Sequence, residues 1–186
     1  MDESQNFTGK IIAVQPANLE PTFSHGVVLI AQHSLKGAWG VIINKPAKTV
    51  NMKNIMTAAG IEYNGIEAIY IGGPVEPTRV HVVHTLDWFS PTTLKITDDL
   101  GITGDISVLA AIAAEEGPKM YRAGVGLAVW GAGQLEGEFK GEPPWNPIDR
   151  WLCTDATVDL ILTGNGEEQY QRAIGQCVAQ TVNNFF

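Results

Sequence analysis

The chain has 186 residues, of which 45% are apolar and 17% charged, far from the low-hydrophobicity, high-charge composition of disordered proteins. That length fits one domain able to bury roughly 70% of the surface its unfolded chain exposes, with no need of staples. Twelve basic against 20 acidic residues leave a formal charge of −8, and the nearest approach to a basic cluster is Lys45, Lys48 and Lys53. Such a chain lacks the cation stripe that a phosphate backbone or an acidic membrane surface requires.

Residues 1–8 are polar and acidic and read as a flexible tail ahead of a single domain over 9–186. Short Val/Ile-rich runs at 11–14, 27–31 and 41–43, bounded by Pro, Gly and Asn, predict buried strands. The second and third form a hairpin through His33 to Gly37, with Gly37 available for a positive φ. Apolar residues at Met52, Ile55, Met56 and Ala59 before Gly60 predict a short surface helix. Strand character returns at 69–71 and 80–84 around the Gly72-Gly73-Pro74 turn. Asp105 caps a helix through Ile106, Leu109, Ala110 and Ala113 that stops at Gly117-Pro118. Further strands are expected at 124–130, 151–154 and 158–162, with a terminal helix over 167–184 whose apolar stripe is Tyr170, Ile174, Cys177, Val178 and Thr181. The segment 141–148 carries Pro143, Pro144 and Pro147, loses three backbone donors and reads as a surface loop. Strands grouped early with irregularly spaced helices predict an α+β fold with a mixed or antiparallel sheet. The longest apolar runs are far too short to span a bilayer, and two distant cysteines without a C-x-x-C make a reducing cytoplasm the expected location.

Candidate chemistry is sparse. His81 and His84 lie three apart in a predicted strand, point to opposite faces and cannot share a metal. No serine lies in G-x-S-x-G, and Cys153 and Cys177 fall in apolar contexts that fit core packing better than reactivity. Gly131-Ala132-Gly133-Gln134-Leu135-Glu136 follows a strand and opens a helix, but Glu136 stands where a dinucleotide motif needs its third glycine, and a tight packing turn accounts for it better. Gly72-Gly73-Pro74-Val75 with Arg79 offers a small anion nest, and turn geometry explains the same glycines equally well. Glu136 and Glu138 diverge on a helix and make no acid/base pair. Trp130 beside its glycine turn could wall a ligand site, with core packing the default. No catalytic set, metal site or cofactor is expected.

Four of these local patterns occur in a familiar order. They are Ala13-Val14-Gln15-Pro16 with Pro21-Thr22-Phe23, then His33 and Gly37 through Asn44-Lys45-Pro46, then Gly72-Gly73-Pro74-Val75 with Val83-His84, then Trp130 through Glu136 with Glu138. Together they resemble the AlgH/YqgE family across nearly the whole chain. The resemblance implies a compact α+β domain of the bacterial cytosol with no characterised activity, some of whose members are described as transcriptional regulators. The acidic charge, and the lack of a helix-turn-helix with a basic recognition helix, weigh against direct DNA contact. Glu20 departs from the family's usual aspartate, and the loop at 141–148 departs from its spacing.

The leading expectation is a non-catalytic binding or regulatory protein working through an unidentified protein partner or small ligand, without membrane or nucleic-acid contact. The competing reading is an enzyme or nucleotide-binding protein that gathers His33, Asn44, Gln134 and Glu138 around the two glycine-rich turns. A third is that the signature residues serve only the fold. Whether those positions share one cleft separates the three.

Overall fold

A computed structural model describes residues 6–15, 21–141, 143–144 and 151–183. Residues 1–5, Pro16, Glu20, most of the loop expected at 141–148, and the last residue expected in the terminal helix, Asn184, lie outside the described residues. The strands are β1 (Lys10–Val14), β2 (Val27–Ser34), β3 (Gly37–Ile42), β4 (Pro46–Asn51), β5 (Ala68–Ile71), β6 (Val75–Thr85), β7 (Leu94–Lys95), β8 (Leu100–Thr103), β9 (Tyr121–Trp130) and β10 (Trp151–Asp155). The helices are α1 (Met52–Ala58), α2 (Ile106–Ala113), α3 (Gln134–Lys140), α4 (Val158–Leu162) and α5 (Gly166–Asn183). The sheet runs β10-β1-β2-β3-β9-β6-β8-β7, antiparallel at each of these steps, and β5 adds a parallel pairing to β9 and an antiparallel one to β4. This is the α+β architecture with a mixed sheet that the sequence predicts.

Strands β1 to β3 read as unbroken apolar runs because both of their faces are covered. Ile11, Ala13, Leu29 and Val41 face α4 and α5 through Leu160, Ile161, Tyr170 and Ala173. Ile12, Val28, Ile30 and Ile42 face the other way, onto Trp130, Leu135 of α3 and Trp151. A third cluster seats α1 and α2 on β6 and β9, through Met52, Met56, Val108, Leu109 and Ile112 against Val82 and Ala123.

The β2–β3 hairpin is tighter than expected: His33 and Ser34 end β2, Gly37 opens β3 at φ 123°, and only Leu35 and Lys36 make the turn. Residues 158–162 form α4, not the expected strand. Thr157 Oγ1 accepts the Leu160 N–H at 3.2 Å, and an N-cap decides the structure of a five-residue apolar run that periodicity leaves ambiguous. On α5 the buried face is Gln169, Tyr170, Ala173 and Cys177, while Val178 of the expected stripe points to solvent at 53% exposure. Phe7 and Thr8, assigned to the tail, dock on the fold: Phe7 stacks on Phe139 at 4.6 Å, and Thr8 Oγ1 accepts the His33 N–H at 2.9 Å.

Candidate functional site

Six of the eleven signature residues converge where β9 turns into α3. Gly133 lies at φ 71°, a left-handed conformation costly for a residue with a Cβ, and lets the chain pass from Trp130 into Gln134 within three residues. Gln134 then closes the turn on itself, its Oε1 accepting the Gly131 N–H at 3.0 Å and its Nε2 donating to Glu138 Oε1 at 2.8 Å. The other Glu138 oxygen accepts both indole N–H groups, Trp130 Nε1 at 2.9 Å and Trp151 Nε1 at 2.8 Å. One carboxylate thus ties β9, α3 and β10 together with three charge-assisted bonds. Phe23 closes this aromatic corner, 5.7 Å from the Trp151 ring and 6.3 Å from Trp130.

His33 reaches the same region from β2. Its Nδ1 accepts the Phe7 N–H at 3.3 Å, which leaves the ring proton on Nε2, 3.2 Å from Glu136 Oε1 but off hydrogen-bond alignment. Glu136 Oε2 is buried with no hydrogen-bond partner among the described residues. On α3, Glu136 and Glu138 diverge as expected, one toward His33 and the other toward the tryptophans.

The remaining signature residues lie elsewhere. Asn44, 1% exposed, uses its whole amide: Oδ1 accepts the Val27 N–H at 2.8 Å, and Nδ2 donates to His25 O at 2.8 Å and Gly166 O at 3.0 Å. It pins His25 at φ 53° and holds the start of α5. Gly72 bonds within the sheet, donating to Val125 O at 2.7 Å and accepting from Ile42 N at 2.8 Å. Gly73 leaves no room for a Cβ against the Leu127 carbonyl, and Pro74 follows in the turn. Arg79 is paired with Glu76 at 2.9 Å, and the Gly72 N–H is spent on Val125 O. His84 is fully buried on the opposite face of β6 from His81. Its Nε2 lies 2.9 Å from Thr103 Oγ1 and its Nδ1 3.0 Å from Thr85 O.

Sequence reasoning missed two features. Arg122, 6% exposed, donates to Ile43 O, to Gln169 Oε1 at 2.7 Å and to Gly164 O at 2.7 Å, and lies 4.2 Å over the Tyr70 ring. It is a buried cation satisfied by neutral acceptors. The other is His25, whose Nδ1 is 2.7 Å from Glu167 Oε2 while its ring stacks on Tyr170 at 4.8 Å. Both cysteines are held as thiols, burial pushing Cys153 to about 11 and Cys177 to about 12. Among the described residues no group of three or more His, Cys, Asp or Glu is placed to hold a metal, and no helix is long and apolar enough to cross a membrane.

The AlgH-like (DUF179) family model matches residues 11–181. The chain belongs to the AlgH-like family. It is similar to AlgH-like relatives carrying the name UPF0301 protein: one from Rhodospirillum rubrum is 32% identical over 91% of this chain and 86% of its own, and one from Paracoccus denitrificans is 35% identical over 94% and 91%. The solution structure of AlgH from Pseudomonas aeruginosa superposes with a TM-score of 0.76 at 26% identity, covering 95% of this chain and 91% of that one. A Corynebacterium diphtheriae protein, DIP2367, shares the AlgH-like fold at a TM-score of 0.72 and 20% identity, over 92% and 87%.

Proposed function

We propose that the chain is a non-catalytic cytosolic binding protein with a regulatory role, and that it engages a small apolar ligand. The observation that carries this reading is the internal use of the signature groups. Glu138, Gln134 and Asn44 direct their hydrogen bonds to the fold's own N–H and C=O groups, which leaves them little for a substrate. The scattering of Asn44, Gly72 and His84 away from the Trp130 corner weighs against one catalytic cleft.

The surface best suited to a ligand is a cleft of about 470 Å³ between α1 and α2, walled by Ile55, Ala58, Pro77, Val80, Leu109 and Val125. Its size falls in the range of small-molecule sites, and no charged side chain lines it. Ala58 is exposed on its rim, so Ala58→Arg fills the cleft without disturbing the core. Titration with the neutral dye Nile red should give saturable one-to-one binding that Ala58→Arg weakens at least tenfold at unchanged Tm. Dye binding that Ala58→Arg leaves intact, or turnover of any substrate by pure protein, refutes the proposal.

A further inference from the structure

His84 stands at one end of a continuous hydroxyl chain. Thr103 Oγ1 lies 2.9 Å from His84 Nε2, Thr93 Oγ1 is 2.8 Å from Thr103 Oγ1, Ser90 Oγ is 3.3 Å from Thr93 Oγ1, and Thr92 Oγ1 is 2.9 Å from Ser90 Oγ. Thr92 Oγ1 in turn donates to Asp105 Oδ2. The chain therefore runs from a fully buried imidazole, through a buried threonine and serine, to the half-buried carboxylate that caps α2 by accepting the Ser107 N–H at 2.8 Å.

Each hydroxyl has one proton to give, so four hydroxyls can fill only four of the five contacts, and the distances select the one that goes without. His84 Nδ1 faces the acceptor Thr85 O and must carry the ring proton, so Nε2 accepts from Thr103. Thr103 then accepts from Thr93. At the other end Thr92 donates to Asp105, and Ser90 to Thr92. Between Ser90 and Thr93 no proton remains, and that contact, at 3.3 Å, is the longest in the chain. Protonating His84 at Nε2 reverses the inner half: Nε2–H donates to Thr103, Thr103 turns to Thr93, and Thr93 turns to Ser90. Two hydroxyls rotate, one proton is taken up and none is released. Every dipole then points from the imidazolium to Asp105, the arrangement in which hydrogen bonds in series strengthen one another.

We infer that His84, Thr103, Thr93, Ser90, Thr92 and Asp105 form a two-state polar relay that couples the charge of the buried imidazole to the N-cap of α2. The groups facing His84 are few. Asp87 lies just beyond the end of β6, taking the Lys119 N–H at 3.1 Å. Tyr121 lies opposite in register on β9, Lys95 of β7 is paired with Asp98 at 2.8 Å, and β8 and α2 carry no charge. Burial holds the His84 pKa below its ordinary value of 6.5, against the opposing pulls of Thr85 O and Asp87, so the neutral arrangement prevails at pH 7.

The test is ¹⁵N and amide NMR on the intact chain. At pH 7.5 the His84 proton should be found on Nδ1; an Nε2–H tautomer overturns the relay. On acidification the Ser107 amide should shift with the same midpoint as the His84 ring. Thr93→Val should remove the Ser107 response and lower the His84 midpoint by about 0.5 pH unit or more, the worth of one net hydrogen bond. Thr103→Ser, which keeps a hydroxyl, should preserve the coupling and serves as the folded control. A Ser107 response that survives Thr93→Val, or vanishes in Thr103→Ser, refutes the relay.

Discussion

Acidification should destabilise this chain through His81, beginning well above the range in which its carboxylates titrate. His81 is 5% exposed and lies over two glycines: a Cβ on Gly72 or Gly124 would fall 2.5 Å from its ring. Its Nδ1 has no hydrogen-bond partner among the described residues. Burial, with Arg79 adding to it, lowers its pKa from 6.5 to about 4. The sign follows from linkage. The unfolded chain takes up a proton below 6.5 while the folded one refuses it until about 4, so stability is full above pH 6.5 and falls with pH across that window. The whole displacement is worth about 3 kcal/mol, most of it gone by pH 4.5. For a domain of this size that lowers Tm by roughly 5–10 °C. The assay is thermal unfolding between pH 7.5 and 4.5 for the wild type and His81→Gln. The variant should show a shallower pH dependence, the remainder coming in part from His84, whose pKa burial also lowers, while matching or falling below the wild type at pH 7.5. Equal slopes in the two proteins would refute the account of His81.

Further substitutions at four positions probe the frame. Glu138→Ala strands two indole N–H groups and the Gln134 amide, and should cost about 2–4 kcal/mol, read as a lower Tm with altered tryptophan fluorescence; Glu138→Gln, which keeps one acceptor oxygen, should cost less. Gly73→Ala forces a Cβ into the Leu127 carbonyl at φ 152° and should yield insoluble protein, seen in the soluble fraction on expression. Val178→Lys should change stability by less than about 0.5 kcal/mol because the side chain is exposed, whereas Ala173→Lys, at a fully buried position on the same helix, should abolish folding.

The strands with two covered faces were legible because a continuous Val/Ile run has no other economical reading, and α2 was legible because Asp105 announces it. The edge strand β4 was not: Pro46, Lys48, Thr49 and Asn51 carry no apolar alternation, and only its pairing to β5 makes it a strand. α4 was misread because five apolar residues fit either element until the Thr157 cap is weighed. At the candidate site, the turn glycines and Gln134 were visible as local chemistry. What tertiary contact alone reveals is the choice of partner: Glu136 with a histidine 103 positions away, Glu138 with Trp151, and Asn44 with the start of α5, 122 residues on. A spacing rule reaches a few residues along the chain, and these bonds do not.

The place of β9 also sets an order on how the chain is made. It holds residues 121–130, yet it pairs with β3 on one side, β6 on the other and β5 in parallel, so three strands completed by residue 85 have an empty slot between them until the ribosome has released some 45 residues more. Until then the edges of β3 and β6 present unpaired backbone groups beside apolar side chains, the surface on which nascent chains aggregate. Closing that slot joins segments far apart in sequence, which predicts slow refolding for a domain of this size. A chain cut before Tyr121 would therefore be a ready substrate for a chaperone.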